Sequence, residues 1–319
     1  MNDQRINSLV KAASMPPVHG DTDVYLILGD PIEQVLAPEI FNPLFARFGN
    51  DALLVPIQVA PQHLLAFVKT AFLAKNIKGM WVTIPHKVSV MDVLDRSSDL
   101  AHLAGAVNAI RRHADGTLEG GLFDGEGFIR SLDYFGIPYA GKKILILGAG
   151  GAAAAIGASL VQPRATGCAT EVALFDPTPG KAAEVAARLQ LANTARVAAL
   201  SSSAPEGFDL VVNASPLGLK MTDPLPCDVD RLDPGAALVD IVMKNYPTPV
   251  LRAARARGLH AEPGFEMLIQ QAHLYMDFFG FHDIAAALRQ DTCTIRQQIY
   301  PQALLNERAE TGQEFFATP

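Results

Sequence analysis

The stretch Ile144-Leu-Ile-Leu-Gly-Ala-Gly-Gly-Ala152 constrains this chain more than any other: an apolar run breaks into glycines and resumes as small residues up to Val161. The run reads as a buried strand and the small residues as a tightly packed helix. Glycines at such a junction let backbone approach a ligand, and the first-turn amides of the helix then face an anion. Hydropathy alone would let Ile144 to Val161 pass for a membrane span. Its glycines at 148, 150, 151 and 157 instead favour a turn and close packing.

A second apolar strand, Glu171 to Asp176, ends in an acidic residue about twenty-five positions beyond the glycines, where a carboxylate can accept hydrogen bonds from ribose hydroxyls. Taken singly, the glycines could serve only a tight turn, and Asp176 could merely open the turn Asp-Pro-Thr-Pro. Together they read as a βαβ unit for a dinucleotide. Gly148, Ala149, Gly150, Gly151 and Ala152 would lie at the pyrophosphate, with Asp176 at the ribose. A carboxylate there repels a 2′-phosphate, so NAD is the expected cofactor, and nearby Lys181 leaves NADP open.

The remainder alternates between strand and helix. Strands are expected at Val24 to Gly29, Ala52 to Val59, Gly79 to Ile84 and Ala106 to Arg111. Helices are expected at Pro38 to Phe48 and Pro61 to Lys75, with helical turns from Lys87 to Leu103. Past Gly127, strands near Phe208 to Val212 and Ala237 to Ile241 join helices Pro179 to Leu189 and Thr248 to Gly258. From Gly264 to about Asn306 the chain reads as helical, and this run is expected to return to the first domain. The fold class is therefore α/β, with an N-terminal α/β substrate domain plus C-terminal helices, and a doubly wound Rossmann domain. The expected boundaries are 22–124 with 264–306 for the first and 125–263 for the second, leaving 1–21 and 307–319 as flexible extensions.

Several function classes fall away. A formal net charge of −7 and scattered Lys and Arg give no field for nucleic acid. Cys168, Cys227 and Cys293 lack metal-ligand or disulfide spacing, so no metal site is expected. No apolar leader is seen in the polar stretch from Met1 to Gly20. A cytoplasmic monomer or homodimer with a small-molecule substrate and no membrane partner is the expectation.

Eight segments fall in one order and at compatible spacings: Gly29-Asp-Pro-Ile32, Val82-Thr83-Ile84-Pro85-His86-Lys87, Ala104-Gly-Ala-Val-Asn108, Asp124-Gly125, Gly148 to Ala152, Asn213-Ala-Ser-Pro-Leu-Gly218, Asp240 with Thr248-Pro249, and Gly264 to Gln271. In these the chain resembles the shikimate dehydrogenase family from about Val24 to Gly280. The resemblance implies an acid–base pair, Lys87 and Asp124, in a cleft between domains. Alcohol oxidation needs such a group at the hydroxyl that loses its proton. It also implies further substrate-side polar groups at Thr83, Asn108 and Gln271, and positions near the cofactor at Asn213, Ser215, Val242, Gly264 and Met267. On their own, Lys87 reads as a surface lysine, Asp124-Gly125 as a turn, and the others as loop or core residues.

The chain departs from that pattern on the substrate side. Where the family has two serines for a carboxylate, this chain has Val35 and Ala37. Trp81, Phe123 and Met243 likewise stand where the family carries Asn, Thr and Tyr. Each lost hydrogen bond to a charged group is worth about 1.5–3 kcal/mol. Losing both serines thus weakens carboxylate binding by roughly two to four decades. The expectation is a dehydrogenase for a less polar cyclic alcohol, with Val35, Ala37, Trp81, Phe123 and Met243 lining its site. Three alternatives remain open: these residues pack the core while Gln34 or His86 supplies polarity; the enzyme is a true shikimate or quinate dehydrogenase; or the cleft belongs to a non-catalytic metabolite sensor.

Overall fold

The structure, a computed structural model, describes residues 18–310. The expected N-terminal arm through 17 and the tail from 311 lie outside the described residues. The first half contains β1 (Asp23–Gly29), α1 (Ala37–Arg47), β2 (Ala52–Gln58), α2 (Leu64–Ala71), β3 (Ile77–Val82), β4 (Arg96–Ser97), α3 (Asp99–Ala104), β5 (Ala109–Arg112) and β6 (Leu118–Gly121). They form a mixed sheet in the order β2-β1-β3-β5-β6-β4, in which β5 runs antiparallel to both neighbours. Continuous apolar sequence in β1 follows from covering on both faces. Leu26 and Leu28 join Met80 and Val82 on one side, whereas Tyr25 and Ile27 join Trp81, Phe41 and Phe45 on the other.

Two expectations shift here. The helical turns expected from Lys87 to Leu103 are split into a 3-10 turn at Ser89–Val93 and helix α3, because Asp95 between them is captured by β6: its amide donates to the Leu118 carbonyl and its carboxylate accepts from the Leu118 amide. The strand expected from Ala106 begins only at Ala109. Before it, the Val107 amide donates to the Lys87 carbonyl at 2.9 Å, which ties down the backbone under Lys87.

The second half runs α4 (Asp124–Phe135), β7 (Lys143–Leu147), α5 (Gly151–Val161), β8 (Glu171–Phe175), α6 (Lys181–Gln190), β9 (Arg196–Ala199), β10 (Leu210–Asn213), β11 (Ala237–Asp240), α7 (Pro249–Ala256) and β12 (His260–Pro263). Its six strands are all parallel in the order β12-β11-β10-β7-β8-β9. The order reverses between β7 and β10, which opens a crevice at their carboxyl ends. The segment that imitates a membrane span is β7, a turn and an 11-residue helix. Among the described residues no helix is long and apolar enough to cross a membrane.

Four helices close the described chain: α8 (Phe265–Phe279), α9 (His282–Gln290), α10 (Cys293–Ile299) and α11 (Gln302–Glu310). Phe265, Ile269, Ala272, Tyr275 and Met276 of α8 share a core with Tyr25, Ile27, Phe41 and Trp81 of the first half. The extension expected from residue 307 is not loose where it is described, since residues 307–310 are the last turn of α11 and Arg308 is buried against Glu262.

Helix α4 lies in contact with both α5 and α8 because two of its residues have no side chain. A Cβ on Gly125 would come 2.2 Å from the Ala155 carbonyl oxygen, and one on Gly127 would come 2.4 Å from that of Met267. Neither obstacle is the tip of a flexible side chain, so an added methyl must push helices apart. Gly125→Ala is therefore expected to cost about 1–3 kcal/mol of stability, read as a lowered midpoint in thermal unfolding.

Candidate active site

Lys87 follows β3 and Asp124 opens α4, and the Lys87 ammonium donates a hydrogen bond to Asp124 Oδ2. Their side chains are only 15% and 6% exposed, so the pair is poorly screened by water. The positive end of α4 favours a carboxylate at its first residue. On its other side the lysine stem rests on the glycine turn: a Cβ on Gly151 would lie 2.7 Å from Lys87 Cβ. The pair and the turn, far apart in sequence, are thus in contact.

The polar groups beside the pair are bound to one another. Asn108, fully buried, accepts from the Phe123 amide through Oδ1 at 3.0 Å and donates through Nδ2 to Gln271 Oε1 at 3.1 Å. Asn108 therefore fixes the residue immediately before Asp124, and Gln271 fixes the Asn108 amide. Tyr275, one turn beyond Gln271, is a neighbour the sequence analysis missed. Burial first, and the nearby Asp124 charge second, hold its hydroxyl well above the usual tyrosine range. Its i,i+4 spacing from Gln271 was the available signal, but that spacing equally marks a core stripe. Thr83 is half-buried; a Cβ on Gly29 would meet its methyl at 2.7 Å, so it packs against the β1 turn.

The apolar replacements divide. Trp81 and Ala37 do not line an open site: they are 2% and 5% exposed. The Trp81 indole stacks on Tyr275 at 5.3 Å and lies against Phe279 at 4.2 Å and Phe41 at 5.1 Å. Aromatic company makes Trp81 a core residue, and Ala37 is buried in the same cluster. Val35 and Phe123 are half-buried at the margin of that core, with Phe123 edge-on to Tyr275. Met243 is exposed, as are Ile84 and Val88 on either side of the His86-Lys87 pair of residues. The alternative polar sources are engaged elsewhere. Gln34 donates to the Pro31 carbonyl, and the buried His86 ring donates to that of Val59, burial lowering its pKa.

On the dinucleotide side, Gly148 has φ +111°, and a Cβ there would sit 2.7 Å from the Ala214 carbonyl oxygen. Conformation and space both demand glycine. Gly150 and Gly151 lead into α5, whose first-turn amides lack intrahelical acceptors, and Ala152 lies in that turn. Asp176 is partly committed: Oδ2 accepts from the Ala149 amide at 2.9 Å, Oδ1 accepts from Thr178 at 3.0 Å, and Lys181 Nζ lies 3.5 Å away. Burial opposes its ionisation, but these donors prevail and hold its pKa low. A groove of about 490 Å³ borders it, lined by the 175–180 turn, Ala182, Ala183 and residues 199–201. Open space at Gly150 and first-turn helix amides without intrahelical acceptors fit the pyrophosphate of a dinucleotide.

Asn213, Ser215 and Val242 build the floor of the crevice. Asn213 donates to Asp240 and Leu217 and accepts from Ser215, while the Val242 amide and the Thr248 hydroxyl also donate to Asp240. Gly264 presses on Ile241, where a Cβ would lie 2.5 Å from its Cα, and Met267 is buried against α4. No group of three or more His, Cys, Asp or Glu that could hold a metal occurs among the described residues.

Residues 27–110 match the family described as shikimate dehydrogenase substrate binding domain. Over 262 residues the chain is 37% identical to the shikimate dehydrogenase (NADP(+)) of Rubrobacter xylanophilus, a match covering 81% of this chain and 90% of the relative. Among solved structures, the shikimate 5-dehydrogenase of Listeria monocytogenes in complex with shikimate and NAD matches with a TM-score of 0.72 at 26% identity, over 86% of this chain and 98% of that one. The ligand-free 5-ketofructose reductase of a Gluconobacter species matches with a TM-score of 0.69 at 27% identity, over 84% and 97%.

Burial pushes the Asp240 carboxyl up to about 6 despite its three donors. An unfolded aspartate has lost its proton by then, so the stability contributed by this residue is complete below about pH 4 and is lost as pH rises through 6. Urea melts across that range should show the advantage of the native chain over Asp240→Asn shrinking as pH rises.

Proposed function

Because the chain belongs to the shikimate dehydrogenase family, we propose that it is a dehydrogenase that interconverts a cyclic secondary alcohol and its ketone, with NAD preferred and without tuning to shikimate. The observation that carries this reading is the Lys87–Asp124 pair pressed onto Gly151 of the glycine turn. A bound nicotinamide dinucleotide supplies the hydride acceptor or donor. Lys87 holds the substrate oxygen and exchanges its proton: in the ketone-reducing direction the ammonium donates to the oxygen, and in the oxidising direction the pair takes the proton up. Asp124 orients Nζ and keeps a counter-charge beside it. Asn108 and Gln271 act on Asp124 through Phe123. In this reading residues 22–124 and 264–306 form the substrate unit, residues 125–263 hold the dinucleotide, and α4 is the seam.

The substrate side supports a molecule with little negative charge. Val35 and Phe123 at the core margin, with exposed Ile84, Val88 and Met243, offer apolar contact where a carboxylate needs donors. The Gluconobacter neighbour, a 5-ketofructose reductase by name, supports reading this scaffold as able to serve substrates other than shikimate. A steady-state panel of shikimate, quinate and uncharged alicyclic alcohols should give the higher kcat/KM for the uncharged compounds; efficient shikimate oxidation would overturn the assignment in favour of a true shikimate dehydrogenase. Lys87→Met, which keeps the stem against Gly151, is expected to lower kcat by about 10²–10⁴ with dinucleotide affinity retained.

The cofactor preference rests on Asp176. Its charge opposes a 2′-phosphate, and each oxygen keeps lone pairs for a ribose hydroxyl beside its amide donors. The relatives from Rubrobacter xylanophilus and Acidiphilium cryptum are named for NADP(+) and the Listeria neighbour is described with NAD, so the names of the relatives lean toward NADP and the NAD reading rests on Asp176 alone. Asp176→Ser should move the ratio of kcat/KM values toward NADP by about tenfold or more, since one charge-assisted contact of some 1.4 kcal/mol is at stake. A native preference for NADP would reject the NAD assignment.

A further inference from the structure

Helices α10 and α11 lie beyond the stretch that carries the sequence resemblance, yet they bring buried charges to both places where the chain passes between the two sheets. One passage runs along α4, and the other through Gly264, between β12 and α8. At the second passage, Glu262 of β12 and Glu266 of α8 stand two residues to either side of Gly264 and are 6% and 0% exposed. Arg296 of α10 donates to both oxygens of Glu266 through Nε and Nη2, at 2.6 and 3.0 Å, and the Tyr300 hydroxyl donates to the same carboxylate. Arg308 of α11 pairs with Glu262. At the first passage, the same two arginines lie over rings at the end of α4: Arg296 over Tyr134 at 4.5 Å and Arg308 over Phe135 at 5.5 Å.

A third arm reaches the crevice. Glu307 of α11 accepts from the Tyr246 hydroxyl at 2.5 Å and from Arg255 of α7 at 3.0 Å, and Arg255 also donates to Tyr246 at 2.9 Å. Tyr246 belongs to the 241–248 loop, which carries Val242 and the exposed Met243 and is anchored at its far end by Thr248 on Asp240. Buried ion pairs add little net stability because desolvation offsets their attraction, but they penalise any geometry that separates the partners. Two arginines that each hold a carboxylate on one passage and a ring on the other therefore oppose relative displacement of the sheets.

We propose that α10 and α11 form a brace that sets the spacing between Lys87 on the first sheet and the glycine turn on the second, with Arg296, Glu307 and Arg308 as positioning residues. This goes beyond the proposed reaction and does not require turnover to be tested. Hydrogen–deuterium exchange on the full chain should be compared for the native protein, Arg308→Met, Arg308→Lys and Tyr246→Phe. The brace predicts faster exchange in Arg308→Met and Tyr246→Phe not only near 262–266 but also at 82–91 and 148–155, by about threefold or more, with recovery in Arg308→Lys. If Arg308→Met does not fold, Tyr246→Phe, which removes one hydroxyl, carries the test. Faster exchange confined to 241–266 and the C-terminal helices would overturn the brace and leave a local structural role. The brace is read from exchange in chains that keep Lys87, and the catalytic role of Lys87 from turnover of Lys87→Met, so failure of the catalytic reading and failure of the brace are separable.

Discussion

The hydrogen bond between Lys87 and Asp124 makes two differently built halves depend on each other. Lys87 comes off the mixed sheet, held from below by the Val107 amide on its own carbonyl. Asp124 comes from a helix that reaches its place only because Gly125 and Gly127 allow contact with α5 and α8 at backbone distance. The Asn108–Gln271 hydrogen bond then steadies the residue before Asp124. Catalytic geometry is sensitive to displacements of an ångström, and the geometry of this pair is supported by close packing and by a buried amide pair.

Much of this was readable in the residues. The β7–α5 junction stands out because a doubly covered strand must be apolar throughout and a helix crowded by others must be small. The pair itself was legible only through the order of eight short segments, since a lone lysine and an Asp-Gly carry no chemistry of their own. Other elements left no local trace. Strand β12 is His-Ala-Glu-Pro, with a charged residue and a proline that argue against a strand, and it exists because β11 offers an edge and Arg308 neutralises Glu262. Trp81 and Ala37 were read as site residues because they replace polar groups, whereas burial decided otherwise: the aromatic cluster around Tyr275 and Phe279 absorbed the indole. Nothing in the sequence of α10 and α11 sets their buried charges apart from those of a solvated helix face, because a sequence does not reveal which distant carboxylates a helix will meet.

Asp176 illustrates how one side chain links local structure to recognition. By accepting from the Ala149 and Thr178 amides it ties the glycine turn to the end of β8 and remains ionised while half-enclosed. The carboxylate proposed to meet the ribose is therefore also a structural tie, so a substitution there would alter the loop as well as the groove beside it.

The contact between Gly151 and the Lys87 stem has a bearing on how such enzymes diverge or are rebuilt. A glycine at the start of a dinucleotide-binding helix is ordinarily credited to the room a phosphate needs. In this chain the methylene groups of the lysine occupy the space a side chain would take, on the flank turned toward the substrate sheet. A turn transplanted from another dinucleotide enzyme with alanine or serine at that point would collide with the lysine however well it suited the phosphates. The two halves of the site must therefore change in concert, and drift in one is checked by the bulk of the other.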